Sequence, residues 1–368
     1  MPGIGILVSL VLLVLSGATF VSFGVAFLRA DAPGIETFGV LSIAYSVIAI
    51  FTFMVATTKR PIFKRSGVFS GAIAMWFTLI FAAMPPFLLL ENAHPAAAFF
   101  EASSAAITLG SSLMPVEKMT TAMVFFRSVL AWIGGLLTLM LAVYVLGRYS
   151  VGGTPNRDLR FVLHGASRGD PRLGATFVEV VVPYAAMTLA CMTLLMLAQV
   201  NPVQAVLGAL NTLSTNSFVG WRVSDSIYNN RAAETILMVF MLVGATSIIW
   251  QRTIISNQIT QTREQTESLS YLLFAFFAVL VGLILSFQTF PVSHQFMTAI
   301  FNRSFDIIST LTTTGITHTP GAGVAVPAIF LIGLALVGGT SYSTAGGMKL
   351  FRLQAMMRHS ANEVMRLI

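Results

Sequence analysis

Apolar stretches of about 20 residues, the length needed to cross a lipid bilayer, recur along this whole 368-residue chain. Eight are expected, at roughly 4–28, 38–57, 67–90, 122–147, 176–199, 232–250, 268–288 and 325–348. Backbone in lipid must satisfy its own hydrogen bonds, so such stretches can only be helices unless they pair into a closed barrel. Three short polar segments break the pattern: Ile107-Thr108-Leu109-Gly110-Ser111, Ser214-Thr215-Asn216-Ser217-Phe218 and Thr312-Thr313-Thr314-Gly315-Ile316. Gly110, Ser217 and Gly315 stand 107 and 98 residues apart, which reads as a repeat.

Composition agrees with a membrane protein. Charged residues are 10% of the chain and apolar residues 56%, whereas a soluble domain carries about 25% charge. The first stretch lacks a basic start and a small-residue cleavage site, so a retained helix is expected rather than a secretion signal. The net charge of +7 is unevenly spread. With the N-terminus cytoplasmic, the internal loops hold Lys59, Arg60, Lys64, Arg65, Arg148, Arg157, Arg160, Arg168, Arg172, Arg252, Arg263, Lys349, Arg352, Arg358 and Arg366. That is 15 of the 21 basic residues, the bias that orients membrane proteins. The charge thus reports topology and contact with anionic lipid, not nucleic acid. Cys191 stands alone, and His94, His164, His294, His318 and His359 have no ligand spacing, so neither disulfides nor a metal site is expected. No catalytic set stands out, and an enzyme is not expected.

Each polar turn follows a segment compatible with a short helix: Pro95–Ile107, Pro202–Leu213 and His294–Leu311. Proline suits the first turn, where its missing N–H would have had no partner. These helices are too short to span. As half-helices entering from outside, they would point partially negative C-terminal ends at the membrane centre, where a cation is favoured. Irregular backbone at that depth is tolerated where it lines an aqueous cavity, and carbonyl oxygens there can replace a cation's hydration shell. The proposed filter residues are Thr108, Leu109 and Gly110, then Thr215, Asn216 and Ser217, then Thr313, Thr314 and Gly315. Serine enters the left-handed region only at some cost, so Ser217 is expected to coordinate less regularly.

A second constellation, Gly338-Gly339-Thr340-Ser341-Tyr342-Ser343-Thr344-Ala345-Gly346-Gly347-Met348-Lys349, lies inside the last apolar stretch. Paired glycines at both ends of a hydroxyl-rich run exceed what small-residue packing uses, so an unwound gate is expected here. Its assigned residues are Gly338, Gly339, Ser343, Thr344, Gly346, Gly347 and Lys349. Lys349 has a second reading, snorkelling to the interface. Glu101 and Asp306 each have two readings, attracting cations at the outer mouth or pairing within the repeat. Arg127 is expected to be a structural partner, with Glu101 as its counter-ion, and Glu234 is expected at the interface.

These residues resemble the Trk/Ktr/HKT superfamily of potassium and sodium uptake proteins, the membrane subunit of bacterial Trk in particular. Phe99-Phe100-Glu101 through Ile107-Thr108-Leu109-Gly110 is similar to that family's first pore helix and filter. Phe126-Arg127-Ser128 with Trp132-Ile133-Gly134-Gly135, Thr312–Gly315, and Ser343–Lys349 with Arg352 resemble further family motifs. The resemblance implies a K+ pore, Na+ being a second candidate, with K+ as cargo and no cofactor. It also implies a homodimer working with a cytosolic nucleotide-binding regulatory subunit. The family has four repeats, whereas Ile368 follows the third gating segment. The alternatives are a truncated chain, a separate chain supplying a fourth repeat, or a non-conducting homologue acting as a membrane scaffold or regulatory subunit.

The expected fold is therefore an all-α polytopic protein of the cell inner membrane. A leading transmembrane hairpin (1–66) precedes three helix–pore loop–helix repeats around a pseudo-symmetric axis: 67–171, 172–267, and 268–368 with its intramembrane gating loop. A carrier for organic solutes would call for inverted repeats, which the parallel pattern disfavours.

Overall fold

The apolar patterning resolves, in a computed structural model, into helices and no strands among the described residues, which are 2–58, 65–143, 173–218, 230–255, 266–287, 296–317 and 326–367. The helices are α1 (Pro2–Leu28), α2 (Ala32–Thr57), α3 (Arg65–Ala82), α4 (Met84–Leu90), α5 (Pro95–Ala106), α6 (Thr121–Met140), α7 (Leu173–Leu197), α8 (Pro202–Leu213), α9 (Arg231–Ala245), α10 (Ile248–Ile255), α11 (Thr266–Leu285), α12 (Phe296–Leu311), α13 (Ala328–Val337) and α14 (Leu350–Leu367). Most of the basic internal residues (Lys59, Arg60, Lys64, Arg148, Arg157, Arg160, Arg168, Arg172, Arg263), together with His164, His294 and His318, lie outside the described residues.

Among the described residues, six helices are long and apolar enough to cross a membrane: 3–28, 32–57, 69–90, 121–143, 176–197 and 267–285. Two of the eight expected spans are broken instead. The sixth stops at Ala245 and restarts at Ile248 after a bend of 110°, because Thr246 takes an extended conformation (φ −85°, ψ 162°). The eighth stops at Val337, because Gly338 turns left-handed (φ 66°). Both breaks prove to be parts of one site.

The chain divides into two compact units. The first comprises Met1–Leu137 with Phe218–Arg222. Within it, α1 and α2 form a hairpin tied by the Ser16 hydroxyl, which donates to the Ser42 carbonyl (2.8 Å) and lies 2.6 Å from the Ser46 hydroxyl. Such hydroxyl bonds join helices where lipid supplies no hydrophobic drive between them. Asp31 caps α2 by accepting from the Gly34 N–H (3.2 Å). Fully buried Phe38, Phe87 and Phe126 stack α2, α4 and α6 together, with ring centroids 5.4 and 6.2 Å apart.

The second unit comprises Thr138–Ser217 and Val223–Ile368. Here α8 packs between α7 and α9, and α12 between α11 and α13, while α9 also touches α12. Tyr271 and Ala275 of α11, Leu311 of α12, Leu334 of α13 and Ala345 form a buried apolar core. That core sits against the two broken spans.

Candidate ion filter and intramembrane loop

The first two short helices begin alike. His94 caps α5 through Nδ1, accepting from the Ala96 N–H (3.3 Å), and Asn201 caps α8, accepting from the Val203 N–H (3.0 Å). Proline follows each cap. Twelve residues of helix rise about 18 Å, well short of a bilayer's hydrocarbon thickness.

All three short helices end by one mechanism. Thr108, Thr215 and Thr313 are left-handed, with φ of 59°, 52° and 56°. Each donates its N–H three residues back, to Ala105 (3.0 Å), Thr212 (3.1 Å) and Thr310 (3.0 Å). The next N–H reaches five residues back: Leu109 to Ser104 (2.9 Å), Asn216 to Asn211 (2.9 Å) and Thr314 to Ser309 (3.0 Å). This is a Schellman-type cap, which ordinarily favours glycine at the left-handed position. A β-branched residue there is an outlier, and such strain concentrates at functional sites. Here the outlier occurs at matching positions of all three turns.

Two residues on, Gly110 and Gly315 are again left-handed (φ 79° and 74°). Their N–H groups also reach Ser104 (3.4 Å) and Ser309 (3.2 Å). Ser217 does not enter that region. Its Cβ instead lies 2.9 Å from where a Cβ on Gly315 would be. The second and third turns therefore abut. Thr312 and Thr314 point their hydroxyls at each other (2.9 Å), buried in the protein.

The first turn is stapled from behind. Glu101, fully buried on α5, accepts from the N–H groups of Leu113 (2.6 Å) and Met114 (3.3 Å) and from the Ser112 hydroxyl (3.0 Å). Arg127, fully buried on α6, is ion-paired with Glu101 and donates to the Ser111 carbonyl (2.6 Å). Its guanidinium lies 4.4 Å over the Phe218 ring. Of the two readings of Glu101, the pairing one fits: the buried carboxylate anchors the segment leaving the turn. Leu109 is half exposed. Glu234, expected at the interface, is buried and paired with Arg231 (2.8 Å). Asp306 is partly buried on α12.

Residues 338–349 form a closed loop with a narrow neck. The N–H groups of Met348, Lys349 and Leu350 donate to the carbonyls of Leu336 (2.8 Å), Val337 (3.1 Å) and Gly339 (3.0 Å), and Gly339 donates to Gly346 (3.3 Å). Gly338 and Gly347 face each other across the neck, where a Cβ on Gly347 would fall 2.6 Å from the Gly338 Cα. No larger residue fits there.

The loop's tip fills the break between α9 and α10. The Thr340 N–H donates to the Ala245 carbonyl (3.0 Å), and the Ile248 N–H donates to the Tyr342 carbonyl (2.9 Å). The Thr344 hydroxyl reaches both the Gly244 and Leu213 carbonyls (2.9 Å each). Orphaned backbone groups at helix ends need partners, and here the loop supplies them. Two further bonds fix the loop: Ser341 N–H to Glu267 Oε1 of α11 (2.7 Å), and Gly346 N–H to the Thr313 hydroxyl (2.6 Å). The assigned gate residues are thus joined to the second and third turns. Sequence reasoning missed Gly244, Thr246 and Glu267. The available signal was Gly-Ala-Thr-Ser at 244–247, small and polar residues inside an apolar stretch.

No protein-family model matches the chain. It is 26% identical over 361 residues to the Trk system potassium uptake protein TrkH of Vibrio parahaemolyticus, covering 94% of this chain and 72% of that protein. Against TrkI of Halomonas elongata it is 28% identical over 342 residues, covering 88% and 66%. TrkH of Escherichia coli K12 is 24% identical over 370 residues, covering 98% and 76%. The crystal structure of the potassium transporter TrkH from V. parahaemolyticus superposes with a TM-score of 0.83 at 24% identity, across 100% of this chain and 77% of that one. The chain is similar to the Trk potassium uptake proteins. It shares the all-α polytopic Trk fold and spans about two thirds to three quarters of the length of the Trk relatives it matches. Among the described residues no cluster of His, Cys, Asp or Glu could hold a metal ion.

Proposed function

We propose that this chain moves K+ across the cell inner membrane, with Na+ as a second candidate cargo, down the membrane potential. The observation that carries the reading is the threefold recurrence of a left-handed threonine closing a half-helix too short to span. A cation at those termini gains from the partial negative charge of the helix ends and from carbonyls exposed by the irregular turns. The ligands would be carbonyls of Thr108–Gly110, Thr215–Ser217 and Thr313–Gly315, with the loop Gly338–Lys349 as gate. Similarity to the Trk proteins supports the cargo, and the recurrence supports the division into repeats at 67–171, 172–267 and 268–368. The concentration of basic residues in one set of loops supports a cytoplasmic N-terminus.

The proposal includes a homodimer and a cytosolic nucleotide-binding subunit. Growth of a strain without its own K+ uptake systems tests it. The chain, expressed with any adjacent reading frame that encodes a further pore hairpin, should restore growth at low K+. Gly315→Asp should abolish that rescue. A folded, membrane-inserted chain that gives no rescue and no Rb+ flux in any combination would reject the transport reading.

A further inference from the structure

Lys349 is left-handed (φ 71°), so the chain doubles back and its side chain enters the loop it terminates. The ammonium donates to the Ser343 carbonyl (3.3 Å), the Ser343 hydroxyl oxygen (3.3 Å) and the Ala345 carbonyl. The Ser343 hydroxyl gives its own proton to the Thr340 carbonyl (2.7 Å), which leaves lone pairs facing the ammonium. Three oxygens from one short arc therefore converge on a point charge. Lysine carries three donors and no acceptor, and its charge is compact, so each contact is made with matching polarity. The Glu267 carboxylate of α11, bonded to the Ser341 N–H (2.7 Å), adds negative charge beside the loop.

We propose that Ser343 and Ala345 form a site for a small monovalent cation, filled in the intact chain by the ammonium of Lys349. An all-oxygen set of carbonyls and a hydroxyl is what hard monovalent cations take in place of water. Removing the ammonium opens the loop, and a free cation of similar size, ammonium or K+, then enters and closes it. The consequence for ion flow rests on the gate reading above. The site itself does not, since loop closure can be read in a chain that conducts nothing.

The test uses the full chain in detergent with Cys191→Ser and Ser341→Cys, because Ser341 is 5% exposed in the closed loop. Maleimide labelling of the introduced thiol reports opening. Slow labelling is expected in this background, and labelling roughly tenfold faster after Lys349→Met, the change that about 1.4 kcal/mol of closing free energy produces. Ammonium, methylammonium or K+ chloride should return the slow rate. Tetramethylammonium chloride, whose methyl groups make it too bulky for the arc, should not. Parent-like labelling of Lys349→Met overturns the proposal, as does equal protection by tetramethylammonium. Should Lys349→Met fail to fold, Lys349→Arg replaces it. A planar guanidinium cannot match the arc at equal charge, so faster labelling supports the site and unchanged labelling rejects it.

Discussion

The hydroxyl of Thr344 lies 2.9 Å from the carbonyl oxygen of Leu213, the last helical residue before the second turn. A loop of the third predicted repeat is thereby tied directly to the end of the second short helix, and through the Gly244 carbonyl to the broken span beside it. Loop position and turn geometry are mechanically joined. Thr344→Val keeps the shape and removes the donor. The one hydroxyl proton shared by two buried carbonyls is then lost, at about 1–3 kcal/mol. Thermal unfolding should fall accordingly, and Rb+ leak from proteoliposomes should rise.

Shortening the loop tests the gate more severely. Deletion of residues 341–345 removes the Tyr342 and Thr344 bonds together while leaving the neck glycines in place. Cation leak should exceed that of Thr344→Val. Equal leak in the deletion and the parent would remove the gate assignment.

Gly315 and Ser217 offer a paired test. In Gly315→Ala the new methyl meets the Ser217 Cβ at 2.9 Å, and a left-handed non-glycine residue adds about 1–2 kcal/mol. Ser217→Gly removes the collision but not the backbone cost. The double variant should therefore recover part of the stability lost in Gly315→Ala, as measured by thermal unfolding. Additive losses would show that the two turns do not abut.

Glu101 and Arg127 are both fully buried. Removing one partner strands the other's charge, so Glu101→Ala and Arg127→Ala should each cost about 3–5 kcal/mol. The double variant should lose much less than the sum, since contacting residues couple. Denaturant unfolding of all four proteins measures this.

Glu91 follows the third span, and its carboxyl is raised above the ordinary value by burial first and by the Asp31 charge second. Its stabilising contribution is full below the unfolded carboxylate range and disappears as pH climbs through the raised folded value. Glu91→Gln should match the parent in acid and exceed it in melting temperature towards neutrality. A constant difference across pH would contradict the shift.

Much of this architecture could be read from composition and spacing because the rules involved are local. Pro202 and the Thr-rich turn bracket α8 at its observed ends, since a proline start and a helix stop are decided within a few residues. Gly-Ala-Thr-Ser at 244–247 marks a weak point in the sixth stretch, but those residues alone do not fix a break at Thr246–Ser247. Threonine and serine are tolerated in membrane helices, and the bonds that open this one come from Thr340, Tyr342 and Thr344, almost 100 residues away. Glu101 shows the same limit. Its partner Arg127 could be guessed, but only the path of 111–114 around the carboxylate separates an anchor from a mouth charge. Ser217 was flagged from side-chain chemistry alone, while its neighbour Gly315 emerged from the packing of two distant turns.

Seating residues 340–344 in the notch between α9 and α10 also constrains any state in which they leave it. The Gly244 and Ala245 carbonyls and the Ile248 amide would each lose a partner in a region too dry to leave them bare. Opening is then a wetting event, in which solvent molecules replace the departing segment group for group. Osmolytes excluded from the protein, which penalise newly hydrated surface, should bias the molecule shut without touching any ion ligand.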